Sequence, residues 1–210
     1  MRRESPTPTP HLLLMGMSGE EIQGIGTAGV RKAKHFLEGT GRAEVLWDNP
    51  SAGLNKLKYH KANGGTYSFD CGGKLEGEGN EGRTFLAEVK HYHTLGDLAR
   101  QYIDFLAKCY RTLNYNPTVA DNFLWITWHP HVVTKWQDQT TAANVKVAVL
   151  KDQTTKDIAL GDAEIKDDIC FAVASALIIV VLSDRQLEML SMTSRERLHM
   201  RKAMMDLRAG

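Results

Sequence analysis

Two stretches of this chain decide its fold: TYSFDC at residues 66–71 and TFLAEVKH at residues 84–91. Both alternate apolar and polar side chains, as β-strands with one buried face do. The alternation predicts that Asp70, Glu88 and Lys90 share one face of a two-stranded hairpin. Two carboxylates beside an ammonium group provide oxygen ligands for a hard divalent cation and a charged group near its bound water. The sequence therefore predicts a metal site at the ends of these strands.

The composition is that of a folded chain with balanced charge. The chain has 210 residues, of which 42% are apolar and 24% charged, and its net charge is +1. A chain of this size buries one sizeable core, so we expect one domain with elaborations. The balanced charge leaves no basic footprint over the whole molecule, and contacts with nucleic acid would have to come from local patches.

The cysteines and the apolar segments indicate a cytoplasmic protein. Cys71, Cys109 and Cys170 lie in apolar surroundings without Cys-x-x-Cys spacing, which favours reduced core residues over a disulfide framework or a zinc knuckle. The N-terminal residues 1–18 lack a signal-peptide pattern, and we predict that they form a flexible segment. The longest apolar run, residues 169–182, is too short for a comfortable membrane span, so we expect no membrane partner.

Hydrophobic periodicity and turn residues predict the other elements. Up to residue 130 they predict a helix at 19–38, a strand at 43–47, a loop at 48–65, an exposed connection at 72–82 between the two strands above, a helix at 95–113 and a strand at 123–128. Beyond residue 130 they predict helices at 140–150, from 162 and from 193, and a buried strand at 177–182. Thr193 and Glu196 have the spacing of a capping box at the start of the last helix.

This order of elements, with its polar residues, resembles the PD-(D/E)XK, or restriction-endonuclease-like, nuclease superfamily. The resemblance rests on the order α-β-β-β-α-β within residues 19–130, an Asp at the end of the second strand and a Glu-x-Lys on the third. It implies an α/β fold whose restriction-endonuclease-like core has a mixed central sheet flanked by helices. Residues 131–210 would then form a C-terminal α/β extension that packs on the core or serves assembly. Phe69 stands where the family name has Pro.

The resemblance implies roles for individual residues. Asp70 and Glu88 correspond to the metal carboxylates, and the Val89 carbonyl corresponds to a further ligand of Mg²⁺ or Mn²⁺. Lys90 corresponds to the residue that orients or polarises the attacking water. Gln101 matches a glutamine that several branches place near the metal or the nucleic-acid backbone, so we count it among the catalytic candidates.

Part of the family pattern is missing. Many members carry a glutamate on the first helix, whereas the middle of this helix reads GVRK at residues 29–32 and its nearest acids are Glu20, Glu21 and Glu38. The sequence that starts at Gln101, QYIDF, only partly matches the Gln-x-x-x-Tyr pattern of the RecB-like branch. The branch of the superfamily therefore stays open.

The same residues have other interpretations. A Glu and a Lys two positions apart on a strand are ordinarily a solvated face, and Asp70 could simply begin a turn. The histidine pairs His91/His93 and His129/His131 could together bind zinc, or could cap strand ends that face solvent or substrate.

Basic residues supply candidate phosphate contacts. The best of three basic runs lies in the loop just before the first of the two strands and includes Lys56, Lys58 and Lys61. His91, adjacent to Lys90, is a further candidate for contact with the nucleic acid.

Two classes of function follow. The first is a divalent-metal-dependent nuclease, expected to be a DNA endonuclease, with roles such as restriction, prokaryotic phage defence, repair or junction resolution implied by the family. The second is a catalytically silent DNA-binding or assembly subunit on the same fold. The apolar run at residues 169–182 and the Met-rich end favour self-association as a homodimer or docking of a partner such as an ATPase or sensor subunit, with core packing as the alternative.

Overall fold

The computed structural model describes residues 19–48, 54–91, 97–130 and 133–209. In these ranges the chain has an α/β architecture with a five-stranded mixed sheet and a separate two-stranded sheet. The helices are α1 (Gly19–Gly39), α2 (Leu54–Leu57), α3 (Leu98–Tyr115), α4 (Ala142–Val149), α5 (Gln153–Ala159), α6 (Asp167–Ala176), α7 (Asp184–Leu190) and α8 (Ser194–Ala209), with a 3₁₀ segment at Val133–Thr140. The strands are β1 (Ala43–Asp48), β2 (Lys58–His60), β3 (Thr66–Ser68), β4 (Cys71–Leu75), β5 (Thr84–Lys90), β6 (Asn122–Thr127) and β7 (Leu177–Val181).

The five-stranded sheet has the order β1-β4-β5-β6-β7. β1, β4 and β5 are antiparallel neighbours, whereas β6 and β7 run parallel to β5. Helix α3 makes the crossover from β5 to β6, as a parallel connection requires. The carboxyl ends of β5, β6 and β7 therefore lie at the same edge of the sheet.

Helices cover both faces of this sheet. On one face, α1 packs Val30, Ala33 and Leu37 into a core that also contains Phe85 and Ala87 of β5. On the other face, α3 contributes Phe105 and Leu106 to a larger core with Leu86 and Trp125. Since side chains alternate along β5, Glu88 and Lys90 follow Leu86 onto the α3 face.

The predicted strand at residues 66–71 is wrong, because the structure divides it between two sheets. Residues 66–68 form β3, which pairs with β2 in the two-stranded sheet, and Cys71 begins β4 in the main sheet. Phe69 lies in the α3-side core and Cys71 in the α1-side core, so the chain bends between them. Asp70 sits in that bend.

The predicted connection at residues 72–82 is wrong in its first part, which is strand β4. A side chain on Gly73 would overlap the backbone carbonyl of Glu44 on β1, and a Cβ on Gly72 would lie 2.9 Å from the carbonyl oxygen of Phe85. The glycines are thus needed for close approach of neighbouring backbones. In the sequence they indicate a turn, since that requirement is invisible without the neighbouring strands.

The predicted loop at residues 48–65 is also wrong in part, because it contains α2 and β2. Tyr59 of β2 stacks on Tyr67 of β3 with ring centroids 5.9 Å apart, and Leu57 is fully buried. This aromatic contact across the β2–β3 hairpin holds the short strand in place. The helix predicted from residue 162 begins at Asp167. Helix α5, which starts with a capping box at Asp152, was not predicted.

The other elements are confirmed, with ends shifted by a few residues: α1, β1, β5, α3, β6, α4, β7 and α8. Thr193 and Glu196 make the reciprocal hydrogen bonds of the predicted capping box at the start of α8. The predicted N-terminal segment, residues 1–18, lies outside the described residues.

The part of the chain beyond residue 132 completes the sheet and covers α3. β7 pairs in parallel with β6, and α4, α5 and α6 pack against α3. All three cysteines are buried and free. The apolar run is only partly internal, since Cys170 and Val173 are buried while Phe171 is exposed. Among the helices of the described ranges, none is long and apolar enough to cross a membrane.

Candidate active site

Asp70 is held beside β5 by the bend that precedes β4. Its backbone N–H donates to the Ala87 carbonyl at 2.9 Å, and its carboxylate oxygen Oδ2 accepts a hydrogen bond from the Val89 N–H at 2.7 Å. Cys71 pairs with Ala87, so the antiparallel register places Asp70 across from Glu88. Asp70 and Glu88 are therefore neighbours, as predicted, although a bend and not a continuous strand brings them together.

Glu88 is a buried carboxylate held by two ammonium groups. Lys90 Nζ lies 2.8 Å from Glu88 Oε1, and Lys108 Nζ lies 3.1 Å from both Glu88 oxygens. Lys108 also donates to the Ser68 carbonyl at 3.3 Å. The side chains of Glu88, Lys90 and Lys108 are only 7%, 15% and 17% exposed, respectively. Charges so poorly hydrated persist because each has an opposite charge within hydrogen-bonding distance.

Sequence analysis missed Lys108. Of the four charged residues Asp70, Glu88, Lys90 and Lys108, it is the one that lies on α3. Its neighbours Ala107 and Cys109 are fully buried, so the lysine interrupts an apolar stretch of helix. It also lies seven residues after Gln101, which is two helical turns along the same face. The available signal was a single lysine within the apolar stretch 105–110; Asp104, on the same helix, pairs instead with Arg100 at 2.9 Å.

The two carboxylates differ in their protonation. Burial raises the pKa of Asp70 to about 6, and the negative charge of Glu88 adds to the rise, while Lys90 and Lys108 oppose it. Burial also disfavours the charge on Glu88, but Lys108 and Lys90 together outweigh it and lower the pKa of that group. Glu88 is thus ionised and neutralised, whereas ionised Asp70 lacks full compensation. A cation beside Asp70 would supply it.

The donor set fits a hard divalent cation. The carboxylates of Asp70 and Glu88 and the carbonyl of Val89 are oxygen donors, and Asp70 already contacts the Val89 backbone. The described ranges contain no group of three or more His, Cys, Asp or Glu side chains that could hold a metal. Two carboxylates with water and substrate oxygens are nevertheless the usual ligands of Mg²⁺. Coordination by Glu88 would release Lys108, which bonds to both of its oxygens.

Gln101 lies near the start of α3. Its side-chain oxygen is buried and has no hydrogen-bond partner in the part of the chain that the structure describes. It shares a helix with Lys108, but no contact with Asp70 or Glu88 is present to give it a role in the site. Its function therefore stays a prediction.

His91 follows Lys90 along the chain but lies on the opposite face of the sheet. Its ring meets that of Trp128 edge-on with centroids 4.6 Å apart, and its Nε2 lies 3.3 Å from Lys32 Nζ. A Cβ at Gly29 of α1 would lie 2.5 Å from the His91 Cβ, so the glycine makes room for the histidine. This placement separates His91 from the face that carries Glu88 and Lys90.

The structure gives little support for a zinc site or for a metal-binding acid on the first helix. His93 and His131 lie outside the described residues, as do the side chains of Glu20 and Glu21. Glu38 forms an ion pair of 2.7 Å with Arg197 of α8, which commits it to holding the last helix.

The basic candidates form part of a folded hairpin near the site. Lys56 lies in α2, Lys58 in β2 and Lys61 directly after β2, and the first two are exposed. Lys58 pairs with Ser68, whose carbonyl accepts the hydrogen bond from Lys108. These lysines therefore belong to a surface that adjoins the carboxylates.

Comparison with known proteins identifies no relative. No family model, curated protein or solved structure matches the chain. What the chain does must therefore be inferred from the chemistry of its side chains.

Proposed function

We propose that this chain is a divalent-metal-dependent DNA endonuclease of the PD-(D/E)XK type, which hydrolyses phosphodiester bonds. One observation carries the proposal. A buried Glu88 with its Lys90 partner lies across from a second carboxylate, Asp70, whose pKa burial raises to about 6. A partly buried carboxylate that lacks a full counter-charge is costly to keep unless it has a ligand to bind.

The order of elements supports the finer assignment. In chain order, α1, β1, β4, β5, α3 and β6 follow the sequence α-β-β-β-α-β, once the small β2–β3 hairpin is set aside as an insertion. The three strands β1, β4 and β5 form an antiparallel meander, and β6 adds in parallel to β5. Such an arrangement brings the Asp that precedes β4 next to the Glu-x-Lys of β5.

The roles of the residues follow from their chemistry. Asp70, Glu88 and the Val89 carbonyl would hold Mg²⁺ or Mn²⁺, which would supply Lewis acidity and lower the pKa of a coordinated water. Lys90, held by its ion pair with Glu88, directs its ammonium toward the attacking water or the charge that develops on the phosphate. Lys108 neutralises Glu88 and would be available to phosphate oxygens if a metal took its place at that carboxylate.

A cleavage assay with supercoiled plasmid tests the proposal. We expect nicking or linearisation with Mg²⁺ or Mn²⁺, none in excess chelator, and binding without turnover with Ca²⁺, whose coordination geometry is looser. Glu88→Gln is the matched control, because it keeps the size of the side chain and removes the charge. Full activity in chelator, or equal activity of Glu88→Gln, contradicts the proposal. Activity with zinc alone would favour the histidine alternative.

A second candidate function is a catalytically silent DNA-binding or assembly subunit. It is favoured by the fact that Lys108 bonds to both oxygens of Glu88 and so closes the site with the chain's own charge. Titration calorimetry with Mg²⁺ and Mn²⁺ separates the two functions. A chain that binds DNA but neither metal is the silent subunit, and a role in phage defence, restriction or repair would then require a partner, such as an ATPase or sensor subunit, or a homodimer.

A further inference from the structure

A groove of about 150 Å³ adjoins the candidate active site. It lies between the β2–β3 hairpin and the C-terminal half of α3 and is lined by Lys58, Tyr59, His60, Tyr67, Arg111 and Tyr115, together with Thr112. No acidic side chain is among the lining residues that the structure describes. Its surface therefore combines aromatic rings with positive charge.

The groove begins one helical turn beyond Lys108, the α3 lysine that bonds to Glu88. Arg111 and Tyr115 follow Lys108 on α3 by three and seven residues, so Tyr115 lies about 10 Å further along the helix. The opposite wall is fixed to the same lysine, because Lys108 Nζ donates to the Ser68 carbonyl and Ser68 pairs with Lys58. The Tyr67 hydroxyl lies 2.8 Å from Thr112 Oγ1 and clamps the hairpin to the helix.

Arg111 and Tyr115 form a preorganised pair within this groove. Arg111 Nε donates to the His60 carbonyl at 3.1 Å, and its guanidinium carbon lies 5.1 Å from the centre of the Tyr115 ring. The Tyr115 side chain is nevertheless 73% exposed, so it contributes little to the core. An exposed ring beside a fixed guanidinium is suited to stacking a nucleobase and binding its phosphate.

We propose that this groove binds an unpaired DNA strand next to the phosphate that is cleaved, with a base stacked on Tyr115 and the backbone on Arg111 and Lys58. The position of the cleaved phosphate rests on the proposed nuclease function, but binding in the groove does not. Bases within a duplex stack on their neighbours and present no free face, so the groove selects single-stranded, gapped or branched DNA over continuous duplex.

The test is DNA binding without cleavage, measured by fluorescence anisotropy in chelator with a labelled oligo-dT strand and a duplex of equal length. Tyr115→Leu should weaken binding of the single strand by about fivefold to a hundredfold, as loss of one stacked base does. Tyr115→Phe keeps the ring and should bind within about twofold of the parent. Trp136→Leu, which removes a partly exposed aromatic ring elsewhere, is the matched control and should have no effect.

Three results would overturn the inference: unchanged binding by Tyr115→Leu, equal loss for single strand and duplex, or a parent protein that does not bind the single strand. Because Tyr115 is exposed, an unchanged thermal transition is expected for its variants, which removes misfolding as a cause. The nuclease proposal is tested separately, by the plasmid cleavage assay of the parent protein. Binding that depends on Tyr115 in a protein that never cleaves DNA would support the groove and favour the silent subunit.

Discussion

Two charged clusters lie at the same end of β5, one on each face of the sheet. The site cluster on the α3 face consists of Asp70, Glu88, Lys90 and Lys108, and the back cluster on the α1 face consists of Lys32, His91, Trp128 and Asp184. Lys90 and His91 are consecutive, so the alternation of the strand alone sends them to opposite faces. Their ion pairs have nearly equal lengths, 2.8 Å for Lys90–Glu88 and 2.7 Å for Lys32–Asp184.

Burial, and not distance, distinguishes the clusters. Asp184 is 61% exposed, whereas Glu88 is 7% exposed. An exposed pair typically contributes about 0–1 kcal/mol, while a buried charge that loses its partner costs several kcal/mol. The back cluster thus has a structural role: Asp184 of α7 accepts hydrogen bonds from Lys32 of α1 and from Trp128, which follows β6. The site cluster instead buries opposite charges with a shifted pKa, a pattern that is common at functional sites.

The largest expected difference between the two clusters is in the rate of DNA cleavage when one lysine of each is replaced by alanine. Lys90→Ala should lower single-turnover cleavage of DNA by about 10²–10⁴-fold, because it removes a charge that acts in the transition state. It should leave the fold and much of the DNA affinity intact. Lys32→Ala, the matched change on the other face, should cleave within about twofold of the parent. Equal rates for Lys90→Ala and the parent would show that Lys90 is a surface lysine and that the mechanism is wrong.

The pH dependence of stability should have opposite signs for Asp70 of the site cluster and Asp184 of the back cluster. The pKa of Asp70 is raised to about 6, so the folded state holds its proton more tightly than the unfolded state. Stability should therefore fall as the pH rises from about 4 to 6, by about 2–3 kcal/mol, and Asp70→Asn should abolish this loss. Hydrogen bonding to Lys32 lowers the pKa of Asp184, so its contribution is instead lost as the pH falls through its folded-state pKa.

Urea unfolding at several pH values, with Asp184→Asn as the control for the back cluster, measures both slopes. Mg²⁺ should raise the stability of the parent more at pH 7 than at pH 5, since ionised Asp70 binds the cation. A parent and an Asp70→Asn variant with parallel stability profiles would contradict the raised pKa.

Removal of one lysine from each cluster compares their contributions to stability. Lys108→Met should lower the free energy of unfolding by about 2 kcal/mol. This loss is smaller than that of a buried carboxylate deprived of its single partner, because Lys90 still compensates Glu88. Lys32→Met should cost less than about 1 kcal/mol. Chemical denaturation in chelator gives both values, and Mg²⁺ should reduce the deficit of Lys108→Met. A larger loss for Lys32→Met would reverse the assignment of the two clusters.

The smallest effect is expected at Lys58 and Lys61, the hairpin lysines near the site cluster. Lys58→Ala or Lys61→Ala should each reduce the slope of log affinity against log salt by about one, the loss of one phosphate contact, while sparing cleavage at saturating DNA. Lys151→Ala, an exposed lysine after α4, is the control and should leave the slope unchanged. Salt titrations of DNA affinity measure these slopes, and identical slopes for all three variants would remove the hairpin from the interface.

Sequence periodicity predicted the elements whose side chains follow a clear helical or alternating pattern. The helical period through Leu98, Tyr102 and Phe105 predicted α3, and the alternation of residues 84–91 predicted β5 and the shared face of Glu88 and Lys90. The apolar run at Leu177–Val181 predicted a strand correctly, but its predicted burial is wrong, because β7 is an edge strand in which only Leu177 is buried. These features depend on neighbours in sequence, which is why a single chain reveals them.

Other features depended on partners far away in the chain. The glycines of β4 are strand residues only because β1 and β5 approach them, and the β2–β3 hairpin is held to α3 by the hydrogen bond between the Tyr67 hydroxyl and Thr112. The sequence by itself therefore determined that Glu88 and Lys90 lie side by side. Only the tertiary structure decided that Asp70 reaches them through a bend, and that Lys108 arrives from α3, since burial and charge compensation arise when separate elements pack together.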